Sequence, residues 1–327
     1  MSTTGQTSKW HLAALGELII DFTPAGTSEE GGALFERNPG GAPANVLVVG
    51  SRLGLSTVFI GKVGQDAFGE FLKETIVEQG VDTRGLILTE EANTTLAFVH
   101  LSEGGERSFS FYRNPGADML LHIEDVDEEI LKGSYIFHFG SVSMTKEPAR
   151  TTTLKAAERA KELGKIISYD PNLRPPLWDS LEEAREIISL GLPYADVLKI
   201  SEEELEFLTG HKDPETGSKA LYEKYNTPII LVTLGPDGCF YRSGERTGHM
   251  PGFKVKSVDT TGAGDAFLGG FLYQLIKSGK EPSQLDENDL KQAVRFANAM
   301  GALTTTKRGA IPAIPSMEEV NKLLESY

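Results

Sequence analysis

The run Asp259-Thr260-Thr261-Gly262-Ala263-Gly264-Asp265-Ala266-Phe267 couples a glycine turn to apolar residues at helical spacing, Phe267, Leu268, Phe271, Leu272, Leu275 and Ile276. A helix entered through such a turn leaves its first backbone N–H groups free at the positive end of its dipole, a seat for phosphate. Asp265 stands in that same turn, where its charge would repel the anion the amides attract. A carboxylate so placed suits a general base that takes a proton from a nucleophile attacking the phosphate. The alternative is a dipole or capping residue, with Gly262 and Gly264 serving only close packing.

Three further motifs follow apolar strands. Thr233-Leu234-Gly235-Pro236-Asp237-Gly238 brings a hydroxyl and a flexible turn to a strand end, where a nucleotide phosphate could approach; a plain hairpin turn is the alternative. Asp170-Pro171-Asn172-Leu173-Arg174 sets a carboxylate, an amide and a guanidinium at another strand mouth, where Arg174 could hold transferring oxygens, or where an Asx turn leaves it solvated. Ser201-Glu202-Glu203-Glu204 opens a helix, and carboxylates there commonly cap the helix and complement its dipole.

The elements that must carry these motifs alternate. Strand-like runs at 12–15, 58–60, 135–139, 166–169, 197–200 and 229–232 lie between helical patterns at 67–78, 148–163, 181–190 and 202–208, several closed by glycine at Gly80, Gly164 and Gly210. Continuous apolar strands between helices predict an α/β fold, a doubly wound, mainly parallel sheet flanked by helices, with sites beyond the strands' C-terminal ends. Two stretches, about 17–38 and 94–114, carry short alternating segments and glycine turns, and are read as a small β-sheet lid. We take residues 1–327 as a single domain.

Composition narrows the classes. The chain has 327 residues, 39% hydrophobic, and a net charge of -15, which disfavours nucleic-acid partners. No apolar run reaches the length of a membrane span. The single Cys239 cannot form an internal disulfide, so the cytoplasm is expected, and Cys239 reads as a core residue. The chain carries no G-x-x-x-x-G-K-[ST], no G-x-G-x-x-G after a first strand, and no spaced His and Cys set, so a P-loop NTPase, a nicotinamide dehydrogenase and a zinc enzyme are disfavoured.

The 259–267 run resembles the C-terminal signature of the PfkB (ribokinase-like) sugar kinases, and Asn38-Pro39-Gly40-Gly41-Ala42-Pro43-Ala44-Asn45 with Gly50-Ser51-Arg52-Leu53-Gly54 is similar to their N-terminal signature. Within that family the likeness, from about residue 12 to 315, is to fructokinases, through 16–22, 40–45, 111–120, 137–141 and 169–178. The resemblance implies transfer of the ATP γ-phosphoryl group to D-fructose, at O6. Asp265 would be the base, the amides of Gly262, Ala263 and Gly264 the anion hole, and Arg174 an aid to transfer. Asp21, Gly40, Gly41, Asn45 and Arg113 would meet the sugar, with Arg113 at a lid edge. Ser201, Thr233, Gly235, Gly238 and Asn298, the last in a helix at 292–303, would border the nucleotide.

The same resemblance implies Mg²⁺ near Glu204, although Ser201 replaces the family's asparagine three residues before it. It also implies a monovalent cation, K⁺, near Asp259, Thr261, Thr304, Lys307 and Gly309, with Ala313 replacing a hydroxyl ligand of some relatives. A homodimer through the lid is expected. Another kinase of the family, acting on ribose, 2-keto-3-deoxygluconate or a nucleoside, and a noncatalytic sugar-binding regulator are the rival readings.

Overall fold

The computed structural model describes residues 8–101 and 107–326. Its main sheet has nine strands: β1 (Trp10–Leu15), β4 (Thr57–Gly64), β5 (Val81–Thr89), β8 (Ser134–Gly140), β9 (Ile166–Asp170), β10 (Val197–Ser201), β11 (Ile229–Thr233), β12 (Cys239–Ser243) and β13 (Arg246–Met250). A second sheet holds β2 (Ile19–Thr27), β3 (Ala33–Gly40), β6 (Leu96–Leu101) and β7 (Arg107–Tyr112). Ten α-helices accompany them: α1 (Ala42–Arg52), α2 (Ala67–Glu78), α3 (Glu128–Gly133), α4 (Ala149–Glu162), α5 (Leu181–Gly191), α6 (Glu202–Thr209), α7 (Pro214–Tyr225), α8 (Ala263–Ser278), α9 (Glu287–Thr304) and α10 (Met317–Glu325).

The large sheet runs β13-β12-β11-β10-β9-β8-β1-β4-β5. The pairs from β11 to β5 are parallel, and only β12 and β13 run antiparallel. Side chains on these strands face helices whichever way they point. Leu12 and Ala14 join a core with Val46 and Val49 of α1, Phe271 of α8 and Ala297 of α9. Their neighbours Ala13 and Leu15 join another with Ala156 of α4, Ile188 of α5 and Leu221 of α7. Burial on both faces explains why the strands read as unbroken apolar runs, and it is the doubly wound arrangement expected. The chain order reverses beside β1, between β4 and β8, so a crevice opens beyond the C-terminal ends of these strands.

The small sheet has the order β3-β2-β6-β7. Its two hairpins are antiparallel, whereas β2 and β6 pair in parallel, Ile20 opposite Leu96. It therefore stands apart from the main sheet. Phe22 stacks on Phe98 at 4.8 Å, and Phe35 and Tyr112 both meet Phe98 edge-on at 5.5 Å.

The structure also corrects boundaries. The helix expected at 292–303 begins five residues earlier, because Asp286 accepts from the backbone N–H groups of Asn288 and Asp289. Helix α1 grows out of the Gly40–Asn45 motif, with Pro43 in its first turn.

Candidate active site

Gly262, at φ 75°, caps α8 from the left-handed region. The Ala266 N–H closes the first helical bond onto Gly262, so the amides of Gly264 and Asp265 precede the ladder. Asp265 is buried, and its Oδ2 accepts a 2.7 Å hydrogen bond from Asn45 Nδ2. Helices α1 and α8 pack together, so both signature motifs meet at this one contact, although 220 residues separate the partners.

On one side lies the foot of the small sheet. Asp21 on β2 folds its carboxylate over Gly40 of β3, where any Cβ would collide with it. Burial pushes the Asp21 carboxyl up to about 7; Arg174 pulls it down and Asp265 pushes it further up. Gly41, at φ 121°, caps α1 with its backbone against the Glu17 carbonyl, a close approach that a side chain would block. Glu17 Oε1 accepts from the Ala42 N–H at 2.9 Å. Burial raises the Glu17 carboxyl to about 7.

On the other side is a cavity of about 610 Å³. Thr233, Gly235 and Gly238 form one wall, Ala263 and Gly264 another, and Asn298 of α9 a third. Gly238, at φ 96°, lets the turn after β11 lie on the Met250 carbonyl and the Gly252 backbone. Asn298 donates to the carbonyls of Met250 and Pro251 at 3.0 and 3.1 Å, which fixes the strip beside the cavity and leaves its own carbonyl oxygen as the group for a ligand.

Between the two recesses stand Asp170, at the end of β9, and Lys199, within β10. Their side chains are buried and 3.0 Å apart. Burial pushes the Asp170 carboxyl up to about 7 against the pull of Lys199. For Lys199, burial works against its charge, but the carboxylates of Asp170, Glu204 and Asp265 outweigh it and hold its pKa above the ordinary lysine value. Lys199 was absent from the residues singled out in the sequence. Its signal was there: a lysine inside an apolar strand, Val197-Leu198-Lys199-Ile200, must find a buried partner.

Several expected residues take up structural work. Ser201 caps α6, its hydroxyl accepting from the Glu204 N–H at 3.1 Å, and Glu204 Oε2 accepts from the Ser201 N–H at 2.8 Å. Glu204 Oε1 takes the Leu173 N–H at 2.7 Å, so one carboxylate ties the 170–174 loop to α6. Arg174 stays exposed, with Nη1 on the Leu173 carbonyl. Arg113 directly follows β7, at the edge of the small sheet. Its guanidinium is buried against Asp118 at 2.6 Å and donates to Thr145 Oγ1 and the Val142 carbonyl, because a charge carried into the interior needs a carboxylate and filled donors.

The loops at 258–261 and 305–309 come together. Asp259 accepts from the Thr261 N–H at 2.8 Å and from the Gly309 N–H at 3.1 Å, while the Thr305 carbonyl takes the N–H groups of Val258 and Asp259. The side chains of Thr304 and Lys307 point elsewhere, to the Met300 carbonyl and to Glu319. Only backbone carbonyls of those two residues could serve a cation.

A profile described as pfkB family carbohydrate kinase matches residues 9–317. The chain belongs to that family. It is 48% identical over 317 residues to Fructokinase-1 of Zea mays, covering 96% of this chain and 97% of that one. Among solved structures it is similar to fructokinase with bound ATP from Xylella fastidiosa, with TM-score 0.90 and 36% identity, over 97% of this chain and 98% of the other. It is likewise similar to fructokinase from Vibrio cholerae O395 in a fructose, ADP and calcium ion bound form, with TM-score 0.86 and 36% identity, over 96% and 99% of the two chains.

Proposed function

We propose that this PfkB-family chain is an ATP-dependent fructokinase that phosphorylates D-fructose at O6. One observation carries the reading: a buried carboxylate, Asp265, aimed by Asn45, lies at an anion-binding helix start between a polar recess at Asp21 and Gly40 and a nucleotide-sized cavity. The fructokinases it resembles across nearly their whole length support the choice of sugar.

Asp21 and Asn45 hold fructose hydroxyls, Gly40 and Gly41 let the ring approach the backbone, and Arg113 keeps one N–H beyond the four directed at Asp118, Thr145 and Val142. Asp265 takes the proton of the attacking hydroxyl. The amides of Gly262 and Gly264, with that of Ala263 shared with the Thr260 carbonyl, hold the charge on the moving phosphoryl group, and Arg174 reaches it from the 170–174 loop. Thr233, Gly235 and Gly238 border the nucleotide phosphates, Ser201 stands at the neighbouring strand end, and Asn298 lies on the base side. Closure of the small sheet over the sugar excludes water.

Mg²⁺ keeps most of its waters and needs few protein carboxylates beside the nucleotide, and no group of three or more His, Cys, Asp or Glu among the described residues could hold an ion by itself, so phosphates and water would supply most of its ligands. Glu204, through water, would hold the ion, which when bound neutralises phosphate oxygens. The carbonyl-rich loops of Asp259, Thr261, Thr304, Lys307 and Gly309 fit K⁺, whose charge would support the anion hole. Two copies pair through the exposed lid residues Leu34, Phe35 and Tyr112. A lone buried thiol supports the cytoplasm, and no helix among the described residues is long and apolar enough to cross a membrane.

Phosphorus NMR of the product from fructose, ATP and Mg²⁺ tests the reading. A fructose 6-phosphate signal is expected. Product from ribose or 2-keto-3-deoxygluconate in preference to fructose would replace the sugar assignment, and no product from any sugar would remove the kinase reading.

A further inference from the structure

Gly264 has a backbone that other residues adopt readily, so φ does not explain the glycine. Its surroundings do. A Cβ at this position would lie 3.0 Å from Lys199 Nζ and 3.5 Å from Lys199 Cε. The vacant volume is filled by a buried ammonium, held by Asp170 with Nζ 3.0 Å from Oδ2 and 3.3 Å from Oδ1. An ammonium has three protons, and one carboxylate does not use them all. Gly264 also lines the nucleotide cavity, so the ammonium stands beside the amides that receive phosphate. A chain of net charge -15, with Asp170, Glu204 and Asp265 close together, needs a local cation to admit a triphosphate at all.

We propose that Lys199 is a catalytic residue whose ammonium, beside the Gly264 amide, binds an oxygen of the phosphoryl group in transfer, with Asp170 as its positioning residue. The proposal rests on the phosphoryl-transfer reading above. In that step the acceptor oxygen bonds to the γ-phosphorus and its proton passes to Asp265. The bond to the β,γ-bridging oxygen breaks, and its electron pair leaves with ADP. Lys199 keeps its proton throughout, acting by charge and hydrogen bonding alone.

Replacing Lys199 alone would leave Asp170 as an unpaired buried charge, so the test uses the double variant Lys199→Met with Asp170→Asn, which removes both. Calorimetry would follow binding of fructose, MgATP and MgADP, alongside steady-state turnover with fructose. The double variant is expected to bind fructose within about twofold of the parent and to lose roughly 10²- to 10³-fold in kcat, the cost of removing one preorganised donor. Its preference for ATP over ADP should shrink about tenfold, the share of one charged contact. Gly264→Ala, which pushes the ammonium without removing charge, should lower kcat and that preference in the same direction; it decides the matter if the double variant does not fold. Native kcat, an intact ATP preference, or equal losses for fructose and nucleotide would overturn the role of Lys199. A parent protein that phosphorylates no sugar, yet loses its ATP preference with Lys199, would sink the fructose reading and leave this phosphate contact standing.

Discussion

At the scale of single residues, the contact between Asn45 and Asp265 sets how the base is tested. Asp265→Asn keeps the size and most of the hydrogen bonding, so the fold and ATP affinity should survive while kcat falls roughly 10²- to 10⁴-fold, the range of a general base. Near-native turnover in that variant would take Asp265 out of the mechanism. Asp21 gives a second measurement, because its carboxyl is raised to about 7. In the empty protein that raised value favours the acid form, so its contribution to stability is full at low pH and is lost as pH rises through about 7. Sugar hydroxyls donate to the ionised form, so kcat/KM for fructose should climb over the same interval. Asp21→Ala should flatten this climb and cost about 10²-fold in kcat/KM, since buried hydroxyls lose charged partners at roughly 1.5 to 3 kcal/mol each. An undisturbed KM for fructose would remove Asp21 from the sugar site. Much of this was legible in the sequence, because glycine turns before helices advertise their backbone. Lys199 was not, and neither was the burial of the Arg113 guanidinium, since only folding reveals the carboxylate partner of each.

At the scale of elements, strands were legible where apolar side chains cover both faces, as in Ile229–Thr233, but not at Cys239–Ser243, whose run is broken by the buried Arg242 and Ser243. Helix α1 was hidden by the glycines and proline of its own binding motif, and α9 was read short because its first turns are polar. Glu204 shows how an element and a site share one residue. It caps α6 and clasps the Leu173 N–H, so the loop bearing Arg174 hangs from this carboxylate. Glu204→Gln retains an acceptor but removes a charge. A higher Mg²⁺ requirement in turnover assays, with fructose binding kept, is therefore expected. An unchanged Mg²⁺ titration would confine Glu204 to capping and loop attachment.

At the scale of the whole molecule, the small sheet joins two distant parts of the chain. Strands β2 and β6 pair in parallel, with β3, α1, β4, α2 and β5 between them in sequence. Bringing such distant segments together is entropically costly until the intervening elements have docked. The order of folding follows: the β1, β4 and β8 region consolidates first, and the small sheet forms last and opens first. Backbone amides of β2 and β6 in the ligand-free protein should exchange with deuterium well before those of β1 and β8, and fructose with ADP should slow them. Equal protection in both sheets would contradict this order. A chain arrested late in folding would then already own its nucleotide cavity and Asp265, yet have no means of retaining a sugar, which makes fructose protection a measure of the last stage of folding.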